Sequence, residues 1–133
     1  MEIIVDADVI IRGENGLFDF NGWMASRATD DFAVAAITIA ELRHGIERAT
    51  GKRRIEREQY LQNVVTSFPV IPYTRQTALI HAHVWAELMT SGKMVGLYDL
   101  IVAATALEHG SDVATFNTRH FQQVPGLNVI EPR

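Results

Sequence analysis

The chain has 133 residues, 47% hydrophobic and 21% charged, a balance that excludes a largely disordered protein and predicts one domain over residues 1–133. It has no cysteine, which excludes disulfides and thiolate metal sites, and no apolar run near the roughly 18 residues of a membrane-spanning helix. The net charge of −4 speaks against a surface that binds nucleic acid throughout, though not against an enzyme that holds metal with clustered carboxylates.

In chain order, Ile3-Ile4-Val5 is a continuous apolar run, the pattern of a central strand covered on both faces in a parallel sheet. It runs straight into Asp6-Ala7-Asp8. A second buried strand is predicted around Phe32 to Ala36, followed by a helix from Thr38 to Ala49 with Ile39, Leu42 and Ile46 on one stripe. The next helix, Lys52 to Ser67, is charged, with apolar positions at Ile55, Leu61, Val64 and Val65. A short strand follows between Pro69 and Pro72, then a long amphipathic helix over Thr74 to Met89. Leu97 to His109 is apolar almost all round, and Gly110 is its predicted stop. Two short strands, in SDVATFN and LNVIEP, close the chain. Alternating strands and helices predict an α/β sandwich, with a mostly parallel central sheet flanked by helices.

Ligands bind outside the carboxyl ends of strands in such sheets, so the polar residues there matter most. Asp6 ends the first strand, and Asn117 follows the fourth, predicted over Val113 to Thr115, with Thr115 two residues back on the same side. Asp6 and Asn117 are also ordinary strand-ending turn residues. Asp99 lies in the first turn of its helix, where an acid offsets the macrodipole, yet it projects toward Ala103 and Ala106. A carboxylate on the small-residue side of a buried helix is costly unless it is paired or holds a metal.

Glu41 has a strong structural reading. Thr38-Ile39-Ala40-Glu41 has the spacing of a capping box, and Glu41 lies opposite the apolar stripe, as a surface glutamate would. Beside Asp6 and Asp99 it gains weight as a ligand, because acids converging on one sheet edge are what Mg²⁺ or Mn²⁺ requires.

The remaining signals are weaker. His81 and His83 are two apart on a helix and point to different faces, which disfavours a zinc pair. His44, His109 and His120 read as surface or packing residues, and Trp23 and Trp85 as core. A basic segment carries Arg43, Arg48, Lys52, Arg53, Arg54 and Arg57.

Asp6, Glu41, Asp99 and Thr115-x-Asn117, in that order, make the chain similar to the PIN-domain ribonucleases, specifically the VapC-like toxins of bacterial toxin–antitoxin pairs. The resemblance covers the whole length through VDADVI, ITIAELRHGI, YDLIVAATALEHG and VATFNTRHFQQVPGLNVIEP. It implies a PIN-like three-layer sandwich and a Mg²⁺- or Mn²⁺-dependent endoribonuclease. Asp6, Glu41 and Asp99 would be the metal ligands, with Asn117 and Thr115 in the catalytic set. It also implies an RNA substrate held by the basic segment, a small antitoxin partner, a homodimer and a cytoplasmic setting. The chain departs from the family at Asn117, where many members carry an acid, and Asp8 is either an extra charge or a cap for the following turn. Two alternatives are a PIN module that binds RNA or protein without cutting, and a haloacid dehalogenase-like phosphatase with Asp6 as nucleophile. The latter is short of a paired acidic motif and of room for a cap.

Overall fold

The computed structural model describes all residues, 1–133. Five strands, β1 (Glu2–Val5), β2 (Asp31–Ala35), β3 (Val70–Ile71), β4 (Asp112–Ala114) and β5 (Val129–Ile130), form one sheet in the order β3-β2-β1-β4-β5. Every pairing is parallel, with Ile4 opposite both Ala33 and Val113. The predicted central strand is therefore the central strand.

Its unbroken apolar run follows from having cover on both sides. Ile4 faces a core built with Ala33, Val113 and the helices α5 (Arg75–Thr90) and α6 (Leu97–His109), through Val84, Leu88, Val102 and Ala103. Ile3 and Val5 face the other core, with Val34, Ala114 and residues of α1 (Ala7–Glu14) and α2 (Phe20–Ala25) such as Val9, Ile10, Phe20 and Trp23. Successive side chains of a strand point to opposite faces, so a strand between two helical layers must be apolar at every position. On one face α6 meets the sheet through Ala103 and Ala106, whose small side chains allow close approach. Gly110 ends α6 at φ 63°, a left-handed conformation that glycine adopts without a Cβ clash.

The helices α3 (Ala36–Glu47) and α4 (Gly51–Ser67) form a hairpin beside this sandwich, and α7 (Thr118–Phe121) is a single turn after β4. Three features depart from expectation. Helices α1, α2 and α7 are not among the predicted elements: Val9, Ile10 and Ile11 are β-branched and give little helical signal, α2 contains Asn21 and Gly22, and α7 is only four residues long. Strand β2 passes directly into α3 at Ala36, two residues before the predicted helix start. Trp85 is not core but 53% exposed, lying over His81 at a ring separation of 5.9 Å. No helix is long and apolar enough to cross a membrane.

Candidate active site

All strands run the same way, so the segments that follow β1, β2 and β4 leave the sheet at one edge. Asp6 is the first residue past β1 and caps α1: its Oδ1 accepts from the Ala7 N–H at 2.9 Å. Asp8 then falls in the first turn of α1. Thr115, the first residue past β4, is fully buried and donates its hydroxyl to Asp6 Oδ2 at 2.8 Å, while accepting from the Asn117 N–H at 2.9 Å. Asp8 is held by the Phe116 N–H at 3.1 Å. From α6, Asp99 accepts from Asn117 Nδ2 at 2.9 Å. Asp6, Asp99, Thr115 and Asn117 thus form one hydrogen-bonded cluster, which also includes Asp8.

Glu41 arrives from another side. Because α3 starts at Ala36 with Ala35 as its cap, Glu41 lies in the second turn and cannot close a capping box. Thr38 is buried within the helix, with a hydroxyl that finds no partner. The capping-box reading is therefore incorrect, because the strand-to-helix junction leaves no loop for a Thr cap. Nor is Glu41 a solvated surface acid: its Oε1 is buried and accepts no hydrogen bond.

The electrostatics are those of acids crowded together. Asp6 is 4% exposed, and burial, followed by the charge of Asp8, pushes its pKa up to about 7. Asp99 adds to the rise, and the Thr115 and Ala7 hydrogen bonds oppose it. Glu41 is also pushed up to about 7, by burial and then by the charges of Asp99 and Asp8. Burial raises Asp8 too, against hydrogen bonds from Phe116 and Thr115 and the charge of Arg12. No cation acts on Asp6 or Glu41 to offset these effects. One pKa unit corresponds to about 1.4 kcal/mol between protonation states, so shifts of this size mark a site that is strained when fully ionised.

A divalent cation fits this set. The donors are all hard oxygens, one buried carboxylate oxygen lacks any partner, and the acids repel one another without a counter-ion. No three acidic groups close into a ready ligand cage. Mg²⁺ does not require one, since it keeps several waters and takes one or two carboxylates directly.

His120, expected to be a surface or packing residue, is half-exposed but also touches the acidic cluster. Its Nδ1 lies 3.0 Å from Asn117 Nδ2 and 3.7 Å from Asp99 Oδ2. The available signal was its spacing of three residues from Asn117, which one turn of helix brings together. His81 and His83 point apart as expected: His81 is buried against Tyr73, and His83 is exposed and paired with Glu87.

The basic segment divides. Arg43 pairs with Glu47 at 2.7 Å, Arg54 with Glu58 at 3.1 Å, and Lys52 with Glu56 at 3.7 Å. Arg57 donates to the Gly45 carbonyl, while Arg48 and Arg53 make no ion pair and line, with Arg57, a cavity of about 400 Å³. Arg57 also lines a second, small cavity of about 90 Å³ that contains Glu41.

The PIN domain profile matches residues 3–127. A VapC ribonuclease of Sinorhizobium fredii is 35% identical over 114 residues, covering 83% of this chain and 81% of that protein. Toxin FitB of Neisseria gonorrhoeae is 32% identical, covering 74% of each. Among solved structures, VapBC2 from Rickettsia felis bound to a promoter DNA fragment has a chain that superposes with a TM-score of 0.88 over 98% of both chains at 20% identity, a likeness of fold. The chain belongs to the PIN-domain family, among its VapC ribonucleases. The phosphatase alternative falls with that assignment, and the geometry agrees: both Asp6 oxygens are engaged inside a buried network rather than presented for attack.

Proposed function

We propose that the chain is a divalent-metal-dependent endoribonuclease, the toxin of a toxin–antitoxin pair, acting as one PIN domain over residues 1–133 in the cytoplasm. Asp6, Glu41 and Asp99 would hold Mg²⁺ or Mn²⁺ through carboxylate oxygens. The observation that carries this reading is the orphaned, buried Oε1 of Glu41, beside acids whose charges raise its pKa and with no cation to answer them.

The bound ion would supply a water of lowered pKa and offset charge building on the scissile phosphate. The chain's own residues have separate tasks. Thr115 fixes the Asp6 carboxylate by donating to Oδ2, and the Ala7 N–H fixes Oδ1. Asn117 orients Asp99 through its amide. Preset donors and acceptors of this kind need no reorganisation during reaction. Arg48, Arg53 and Arg57 would hold the RNA backbone, because Arg57 lines both the cavity it shares with Arg48 and Arg53 and the one that contains Glu41. Arg43, Lys52 and Arg54 are neutralised by glutamates and contribute less.

An inhibitory partner with an Arg or Lys at its contact surface would satisfy the same acids, and a second copy of the chain would complete a homodimer. The decisive experiment is RNA cleavage by the purified chain with Mg²⁺ or Mn²⁺, abolished by EDTA and by Asp6→Asn. RNA cut equally well in EDTA would overturn the metal assignment. No cleavage under any metal, with RNA still bound, would instead establish the non-cutting module.

A further inference from the structure

Asn117 could present its amide either way round, and the choice determines what it offers the site. Nδ2 lies 2.9 Å from Asp99 Oδ2 and 3.0 Å from His120 Nδ1. Reversing the amide would place its oxygen 2.9 Å from a carboxylate oxygen, two acceptors face to face. Nδ2 must therefore face both partners, and each of its hydrogens has an acceptor. His120 Nδ1 is pulled two ways. Asp99 at 3.7 Å would favour a proton on Nδ1, whereas an Nδ2 donor at 3.0 Å requires a lone pair there. The shorter separation decides, because 3.7 Å lies beyond hydrogen-bond range. Nδ1 is the acceptor, and the ring proton sits on Nε2.

We infer that His120 is a positioning residue that locks the Asn117 amide, so that Oδ1 is its only free polar atom and is offered to the site as a neutral oxygen ligand. Oδ1 accepts no hydrogen bond from the chain and is not an enclosed atom. The chain supplies there an uncharged oxygen of fixed direction, in a site already crowded with negative charge. The half-exposed ring of His120 is not packed into either core, so its removal tests orientation rather than folding. The consequence for catalysis rests on the nuclease reading, whereas the orientation itself does not.

Two measurements on the full chain test the inference separately. The Asn117 side-chain amide is followed by ¹⁵N NMR without metal, its signals identified by their loss in Asn117→Asp. In His120→Ala the proton facing residue 120 should move upfield, while the one facing Asp99 stays. Manganese affinity is then measured by calorimetry with Mn²⁺ alone. It should fall about tenfold in His120→Ala, the lower end of what loss of an orienting partner costs. His120→Asn places an acceptor near the Nδ1 position and should restore both readouts. His120→Gln mimics Nε2 and should restore neither. Unchanged amide signals in His120→Ala, or equal rescue by Asn and Gln, would overturn the inference. If the unsubstituted chain binds no Mn²⁺, the nuclease reading fails, and the amide signals alone decide this one.

Discussion

The acidic sheet edge and the α3–α4 hairpin both concentrate charge, but they resolve it in opposite ways. At the edge, Asp6 and Glu41 are pushed up to about 7 by burial and by neighbouring acids, with no cation to answer them. On the hairpin, Arg43 and Arg54 share Glu47 and Glu58, and Lys52 meets Glu56, exposed or half-exposed pairs mostly one helical turn apart. Such exposed pairs are worth only about 0–1 kcal/mol each, so they are surface scaffold. Uncompensated like charge has no structural use, and it persists where a ligand completes it. By the same criterion Arg48 and Arg53 stand out from their paired neighbours.

The largest test of that contrast removes the acids. Asp6→Asn and Asp99→Ala should each lower RNA cleavage by roughly 10²-fold or more while circular dichroism shows a folded protein. A variant that cuts at near the unsubstituted rate would remove that acid from the site.

Acid titration should come next. Asp6 and Glu41 have folded pKa values of about 7, above their ordinary values of 3.8 and 4.5, so between those limits the folded chain binds more protons than the unfolded one. Stability then falls as pH rises through that window and is lowest above about pH 7. In EDTA, the melting temperature should rise as pH is lowered from about 7.5 to about 5.5, whereas saturating Mn²⁺ should flatten or reverse the trend. For Glu41 alone, Glu41→Gln should melt higher than the unsubstituted chain near pH 8 in EDTA and cut RNA poorly. Earlier melting with normal cleavage would make Glu41 a structural acid.

A smaller effect is expected on the hairpin. Arg48→Glu with Arg53→Glu should weaken RNA binding and reduce the slope of log affinity against log salt by roughly 1 for each phosphate that is no longer neutralised. Arg43→Ala should change RNA affinity little, since Glu47 already takes its charge. Equal weakening by the two hairpin variants would show that the ion pairs open to bind RNA. The smallest change is Thr38→Val, which removes a buried hydroxyl without a partner and should stabilise the fold by about 1 kcal/mol, read from denaturant unfolding.

The sequence by itself determined the fold class and the central strand, and it singled out the candidate acids. Ile3-Ile4-Val5 must be covered on both faces, and a polar residue ending such a strand falls at the edge where ligands bind. The order of Asp6, Glu41, Asp99 and Asn117 along the chain was enough to indicate the family. Tertiary structure decided the rest, because it depends on distances between residues far apart in the chain. Helix α1 forms because Asp6 caps it and Val9 and Ile10 find a core, neither of which is visible in a β-branched run. Glu41 moved from helix cap to buried orphan because β2 joins α3 without a loop, which shifts the helix start by two residues. His120 joins the candidate cluster only because Asn117 lies between it and Asp99, which is 21 residues earlier in the chain. Which arginines are free was equally a matter of geometry, since one helical turn decides whether a glutamate reaches them.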